Sequence, residues 1–219
     1  MGTQTFSEEN YLKAIYHLCG KEEGKASATG IAEVLGNNPA SVIDMLKKLT
    51  EKKLIQYDKK KGARLSEKGQ KAALLVIRKH RLWEVFLQEK LGYTWDEVHD
   101  IAEQLEHIHH EDLADRLDKF LDYPKYDPHG DPIPKSDGQI PAASKTTLIE
   151  IEAGKTCQVV GVRDTSTAFL QYLQQLKVAI GTNITLMEKI AFDNSVIIKI
   201  GKGTATTVSQ KFAESVLVI

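Results

Sequence analysis

The 219-residue chain is poor in several features that mark whole classes of protein. It has two cysteines, Cys19 and Cys157, too few for a disulfide framework or a four-thiolate zinc site. Such sparing use fits a reducing compartment, so the cytoplasm is the expected location. Nowhere do apolar residues run for the roughly 18 positions that a membrane-crossing helix needs. The opening MGTQTFSEEN lacks the basic patch and apolar run of a signal peptide, and no membrane partner is expected. There is no glycine-rich phosphate loop, no His-Glu-x-x-His pair and no distinct Ser/His/Asp or Cys/His arrangement. Glu103-Gln104-Leu105-Glu106-His107 approaches the inverted zinc-protease pattern but has Glu where the first His must stand. The expectation is therefore not an enzyme. A net charge of either sign is missing too: 29 basic residues meet 30 acids. At 42% hydrophobic and 27% charged, the chain is nevertheless an ordinary globular composition.

The near-zero charge conceals a segregation. Lys47–Arg81 holds thirteen basic residues against Glu51, Asp58 and Glu67, a balance of +10. Glu84–Asp122 holds twelve acids against Lys90, Arg116 and Lys119, a balance of −9. A basic segment followed by an acidic, histidine-bearing one suggests a polyanion partner for the first and a cation for the second.

Periodicity and punctuation predict a mostly α chain with a small β domain. Ser7 heads a helix to about Leu18, and Ser27 caps a short one that Gly36 ends. Asn38 caps a third helix that has Pro39 in its first turn. Two short strands flank Lys59-Lys60-Lys61-Gly62, and a long helix runs from Ser66 to about Leu91. Further helices are expected from Thr94 or Asp96 to His109 and from Glu111 to Leu121. Five of the six prolines crowd into residues 124–141, which excludes regular structure there. Beyond them, Thr147–Ile151, Thr156–Val162, Ile184–Lys189, Val196–Ile200 and Thr206–Val208 read as strands of a small barrel, interrupted by a helix at Ser166–Leu176. The expected domains are 1–72, 73–140 and 145–219.

Helix, turn, helix and a ribbon with a basic tip is the order of a winged helix-turn-helix. Ser27, Asn38, Pro39, Ala40, Ser41, Ile43 and Asp44 are placed to meet DNA, the third helix presenting its first turns to base edges. Lys47, Lys48, Lys60, Lys61 and Arg64 are placed for phosphates. In the acidic half, His80 and Glu84 are one helical turn apart, and in the next helix His99, Glu103, Glu106 and His107 fall at i, i+4, i+7 and i+8, on one face. Carboxylates gathered on a buried face need a cation. The nitrogen and oxygen donors favour Mn(II) or Fe(II), with zinc still open.

These residues together resemble the diphtheria-toxin-repressor and manganese-transport-regulator family. The resemblance rests on Glu9-Asn10-Tyr11-Leu12 with Ile15-Tyr16, on Arg78-Lys79-His80-Arg81-Leu82 with Glu84, and on Val98-His99-Asp100. Glu106-His107 and His129-Gly130-Asp131-Pro132-Ile133-Pro134 complete it, in family order. It implies a metal-activated transcriptional repressor that binds a palindromic operator as a homodimer, with an all-helical dimerisation domain and a C-terminal SH3-like domain. It also implies a primary metal site of Asn10, Glu103, Glu106 and His107, and an ancillary site of His80, Glu84 and His99 to which Asp164 is the nearest C-terminal addition. Iron members of the family carry Met and Cys where Asn10 and Glu103 stand here, and manganese members carry Asp and Glu. Glu103 is thus manganese-like and Asn10 matches neither, so Mn(II) is favoured, with Fe(II) or another divalent transition metal as the alternative. Lys13 stands where some manganese regulators place a bridging carboxylate. A metal-storage or metallochaperone protein without DNA binding is the contrasting reading.

Overall fold

The first helix, α1 (Phe6–Lys21), is opened by reciprocal bonds: the Thr5 N–H donates to Glu8 Oε2 at 3.1 Å and the Glu8 N–H reaches Thr5 Oγ1 at 3.4 Å. α2 (Ala28–Leu35) begins where Ser27 Oγ accepts the Gly30 N–H, and it ends at Gly36, whose φ of 62° is the left-handed turn that glycine takes without a Cβ penalty. α3 (Pro39–Glu51) begins with Asn38 Oδ1 accepting the Ala40 N–H. α3 buries Val42, Leu46 and Leu49 against Tyr11, Leu12 and Ile15 of α1 and Ile31 of α2. The wing follows as β1 (Ile55–Asp58) and β2 (Gly62–Leu65), paired antiparallel from Ile55↔Leu65 to Asp58↔Gly62. Its tip is closed by Asp58 Oδ1, which accepts from the backbone of Lys60 and Lys61 at 2.8 Å each. Three helices complete this part of the chain: α4 (Glu67–Leu91), α5 (Val98–Leu105) and α6 (Leu113–Phe120).

The computed structural model describes residues 4–21, 24–144 and 146–219. The chain forms two compact units. One comprises Met1–His80, Glu103–Phe120 and Pro134–Ile140; the other comprises Arg81–Ala102, Leu121–Ile133 and Pro141–Ile219. In the first, buried Arg78 of α4 holds Asp115 and Asp118 of α6 at 2.7 Å each. In the second, β3 (Thr156–Val162), α7 (Thr167–Gln175), β4 (Asn183–Lys189), β5 (Val196–Ile200), β6 (Ala205–Val208), α8 (Gln210–Ser215) and β7 (Val216–Val218) follow in turn. Their antiparallel sheet has the order β6-β5-β4-β3-β7. Val159, Leu173, Ile184, Leu186, Ile198, Phe212 and Val218 form its core, joined by Trp95. Fully burying one such aliphatic or aromatic side chain contributes about 1.5–3 kcal/mol. Among the described residues no helix is long and apolar enough to cross a membrane.

Two expectations are corrected. The helix expected to reach His109 stops at Leu105, so Glu106 and His107 lie in the turn beyond it. Glu106 is fully buried against Lys13 and His80 there, and these ionic contacts compete with another helical turn. Thr147–Ile151 is not a strand but a 3₁₀ turn, Leu148–Glu150, because the Glu150 carboxylate accepts both the Thr147 N–H (2.6 Å) and its hydroxyl (2.7 Å). The fifth strand is instead β7, which follows the short helix α8.

Candidate metal centres and nucleic-acid interface

Inside the first unit, α1, α4 and the turn after α5 bring several of the singled-out residues together. Glu106 Oε2 lies 2.6 Å from His80 Nδ1 and accepts from Lys13 Nζ at 2.7 Å. Lys13 also donates to Glu103 Oε1, and its Nζ is 3.4 Å from His80 Nδ1. On the other side of Glu106, His107 Nδ1 lies 2.6 Å from Glu9 Oε2. A carboxylate can only accept, so Nδ1 carries a proton, and in the neutral imidazole Nε2 keeps its lone pair. Burial pushes the Lys79 ammonium pKa down, against Glu9 and Glu106, which pull it up.

Two donor atoms of this cluster, Glu106 Oε1 and His107 Nε2, are buried without a hydrogen-bond partner, and so is Asn10 Oδ1 on α1. Glu106 Oε1 and His107 Nε2 are 3.5 Å apart. Leaving a buried polar atom unsatisfied costs about 1–3 kcal/mol, and with the neutral imidazole the two facing acceptors also repel. A divalent cation between Glu106 Oε1 and His107 Nε2 would satisfy both, and a carboxylate oxygen, an imidazole nitrogen and, from Asn10, an amide oxygen are donor types that suit Mn(II) or Fe(II). The donor set therefore fits such an ion.

A second cluster lies wholly within the other unit. Glu84, Asp127 and His129 are all buried, and each offers a ligand atom within 4.8 Å of the other two. His129 Nε2 is 2.9 Å from the Trp95 carbonyl, so that nitrogen donates and Nδ1 faces Glu84 Oε1 at 3.7 Å. His99 Nδ1 stands 3.4 Å from the same oxygen. Asp127 Oδ1 accepts the N–H groups of His129 (2.8 Å) and Asp131 (2.9 Å), and Arg81 Nε is 3.4 Å from Oδ2. Burial pushes the Asp127 carboxyl up to about 7, with the Glu84 charge adding to it. Burial works against the His129 cation, but the bond and charge of Glu84 and the charge of Asp127 carry it up to about 8. Asp127 was not singled out from the sequence, and His129 only as part of a resemblance. Both sit in the proline-rich loop, where no periodicity marks a face. The one available signal was the density of acids and His in Asp127-Pro128-His129-Gly130-Asp131. Asp164 has partners of its own: its Oδ1 accepts the Ser166 N–H at 3.0 Å and its Oδ2 is 3.6 Å from Lys211 Nζ.

The residues expected to meet DNA are displayed on the surface of the first unit. Ser27, Asn38, Pro39, Ala40, Ser41, Asp44, Lys47, Lys48, Lys60, Lys61 and Arg64 are exposed, and Ile43 is half-buried. Asp44 is occupied with Lys47 at 3.0 Å, one turn along the helix. Lys48 is not simply a free phosphate contact: with Lys52 it binds the fully buried Glu8, at 2.9 and 2.7 Å. Burial opposes the charge of Glu8, but the bonds from Lys52 and Lys48 outweigh it and hold its carboxyl down at about 2. One consecutive pair on α1 thus points two ways, Glu8 to α3 and Glu9 to His107.

Comparison with known proteins agrees with this architecture. Residues 5–63 match the family described as iron dependent repressor, N-terminal DNA binding domain. Residues 66–135 match its metal binding and dimerisation domain, and residues 146–219 match the FeoA domain. The iron-dependent repressor IdeR of Mycobacterium tuberculosis is 36% identical over 160 residues, which span 69% of each chain. The HTH-type transcriptional regulator MntR of Oceanobacillus iheyensis is 34% identical over 123 residues, 56% of this chain and 82% of that one. A solved manganese-dependent transcriptional repressor in complex with manganese is similar with a TM-score of 0.85 and 32% identity, covering 97% of this chain and 99% of that one.

Proposed function

The chain belongs to the iron-dependent repressor family, and from that premise we propose that it is a metal-activated transcriptional repressor. It binds a palindromic operator in double-stranded DNA as a homodimer, acts in the cytoplasm and controls metal-ion homeostasis. Mn(II) is the favoured activator, and Fe(II) is the alternative. Residues 1–72 read DNA, 73–140 carry dimerisation and metal, and 145–219 form the SH3-like domain. We assign it no catalytic role.

The observation that carries this reading is the trio of buried, unpartnered donors Asn10 Oδ1, Glu106 Oε1 and His107 Nε2. With Glu103 they would hold the activating ion, and Glu84, Asp127 and His129 would hold a second. When bound, a divalent ion supplies positive charge and a coordination link between donors on different elements. The protein's own residues transmit the rest. Asn10 lies on α1, while Glu106 and His107 lie in the turn after α5, so joining them orders α1 relative to that turn. Glu8, two residues before Asn10, grips Lys48 and Lys52 of α3. The first turn of α1 therefore connects the ligand cluster to the helix that enters the major groove. The linkage is reciprocal: DNA binding tightens metal binding by the same factor.

Glu9 positions one ligand in this scheme, since its carboxylate fixes the His107 tautomer that leaves Nε2 for the ion. Glu9→Gln is expected to weaken Mn(II) binding by about 10- to 100-fold, read by competition with a fluorescent chelator. Unchanged affinity would remove Glu9 from the site.

The function itself is tested by anisotropy with a duplex selected from a random pool using Mn(II)-loaded protein. Tight, steeply salt-dependent binding with Mn(II) and its loss on adding chelator are expected. Equal binding with and without chelator refutes metal switching. Activation by Fe(II), under anoxia, at or below the Mn(II) threshold would reassign the metal. Metal uptake without any duplex binding would favour a storage role.

A further inference from the structure

Lys13 is an unusual occupant of a cation site. It projects from α1 one helical turn after Asn10, and its ammonium is directed inward: side-chain exposure is 15%, against 0% for Glu106. It touches three of the surrounding groups at once, donating to Glu103 Oε1 and to Glu106 Oε2 at 2.7 Å and standing 3.4 Å from His80 Nδ1. Glu106 is thereby divided. Its Oε2 is taken by Lys13 and His80, while its Oε1 is buried with no partner beside His107 Nε2. Glu103 is held by the same ammonium.

We propose that Lys13 is a tethered competitor for the activating cation, an internal ammonium that neutralises Glu103 and Glu106 in the metal-free protein and must yield them for full coordination. This rests on the reading of Asn10, Glu103, Glu106 and His107 as the activating site, and it assigns the setting of the metal threshold to a residue that is not a ligand. The physical reason is charge balance. Two cations cannot share a carboxylate pair at such short range without strong repulsion, because the buried surroundings screen them poorly. Without the ammonium, the buried carboxylates have lost a charge-assisted partner and the metal-free state is disfavoured. Both effects push binding toward the divalent ion. The tether keeps the competitor at a fixed local concentration, so the threshold is a property of the fold rather than of the surrounding salt.

The test measures Mn(II) affinity by chelator competition, and thermal unfolding of the metal-free protein, for the wild type, Lys13→Met, Lys13→Gln and Lys13→Arg. The binding class belonging to this site is identified as the one that Glu106→Gln removes. Lys13→Met and Lys13→Gln are expected to tighten that class by about 10- to 100-fold, the equivalent of one charged hydrogen bond, and to unfold at lower temperature without metal. Lys13→Arg, which keeps the charge, is expected to stay close to the wild type. If Lys13→Met or Lys13→Gln folds and binds Mn(II) no more tightly than the wild type, the proposal is overturned while the site assignment stands. If Glu106→Gln removes no binding class, the site assignment fails and this proposal fails with it.

Discussion

Glu106→Gln is expected to weaken Mn(II) binding at the first cluster by at least roughly 100-fold, beyond what loss of a ligand's hydrogen-bonding partner produces, and to abolish metal-dependent DNA binding. The argument is local. Glu106 is fully buried and uses one oxygen for Lys13 and His80, while the other faces His107 Nε2 unpartnered. The amide keeps the shape and one acceptor, so Lys13 retains a partner and the protein is expected to fold. The charge that draws a divalent ion into a buried space is lost. Isothermal titration with Mn(II), alongside anisotropy on the selected duplex, reads both consequences. Operator binding that stays equally responsive to Mn(II) would show that the switch lies elsewhere.

Gly130→Ala carries the largest expected effect on stability. Gly130 has φ of +87°, and a Cβ there would lie 2.1 Å from the Val160 carbonyl oxygen and 2.4 Å from Gly161 Cα. Both are backbone atoms of β3, so no rotamer change can relieve the overlap. The loop must move away, breaking the 2.9 Å bond from the Val162 N–H to the His129 carbonyl and loosening the turn closed by the Gly130 N–H on the Asp127 carbonyl. Left-handed backbone and steric displacement together are expected to cost about 3–4 kcal/mol. This appears as an earlier unfolding transition of the second unit, followed by the fluorescence of buried Trp95 in denaturant. The same shift displaces Asp127 and His129, so binding at the second cluster should weaken in parallel. A transition midpoint unchanged from the wild type would contradict the close approach of loop and strand.

The residues show where sequence reasoning holds. Ser27, Gly36, Asn38 and Pro39 punctuate the chain by bonds spanning two to four residues, so the helix-turn-helix was legible in detail. β3 and β5 also follow their expected spans, Thr156–Val162 and Val196–Ile200, because β-branched residues such as Val159, Val196 and Ile198 bury against the sheet core while exposed or half-buried positions alternate with them. The miss at Thr147–Ile151 has the same local origin read the wrong way. Its apolar residues suggested a strand, but one carboxylate at Glu150 closed a turn on Thr147. β7 was missed because three residues become a strand only by lying against β3, with Val218 opposite Val159 some sixty positions earlier.

By itself, the sequence determined the order of elements through the wing and α4, the opposed charge of the two segments and the donor types, nitrogen and oxygen without thiolate. Those depend on residue identity and near-neighbour spacing. Only the tertiary structure decided which donors meet. His107 is held by Glu9 across 98 positions, and Lys13 reaches Glu106 across 93. Glu84 gathers with Asp127 and His129 from a loop that has no period at all. The reason is energetic. A buried carboxylate takes whichever cation or donor the packed backbone brings within bonding distance, because leaving it unpaired in a low-dielectric interior costs more than local preference can supply.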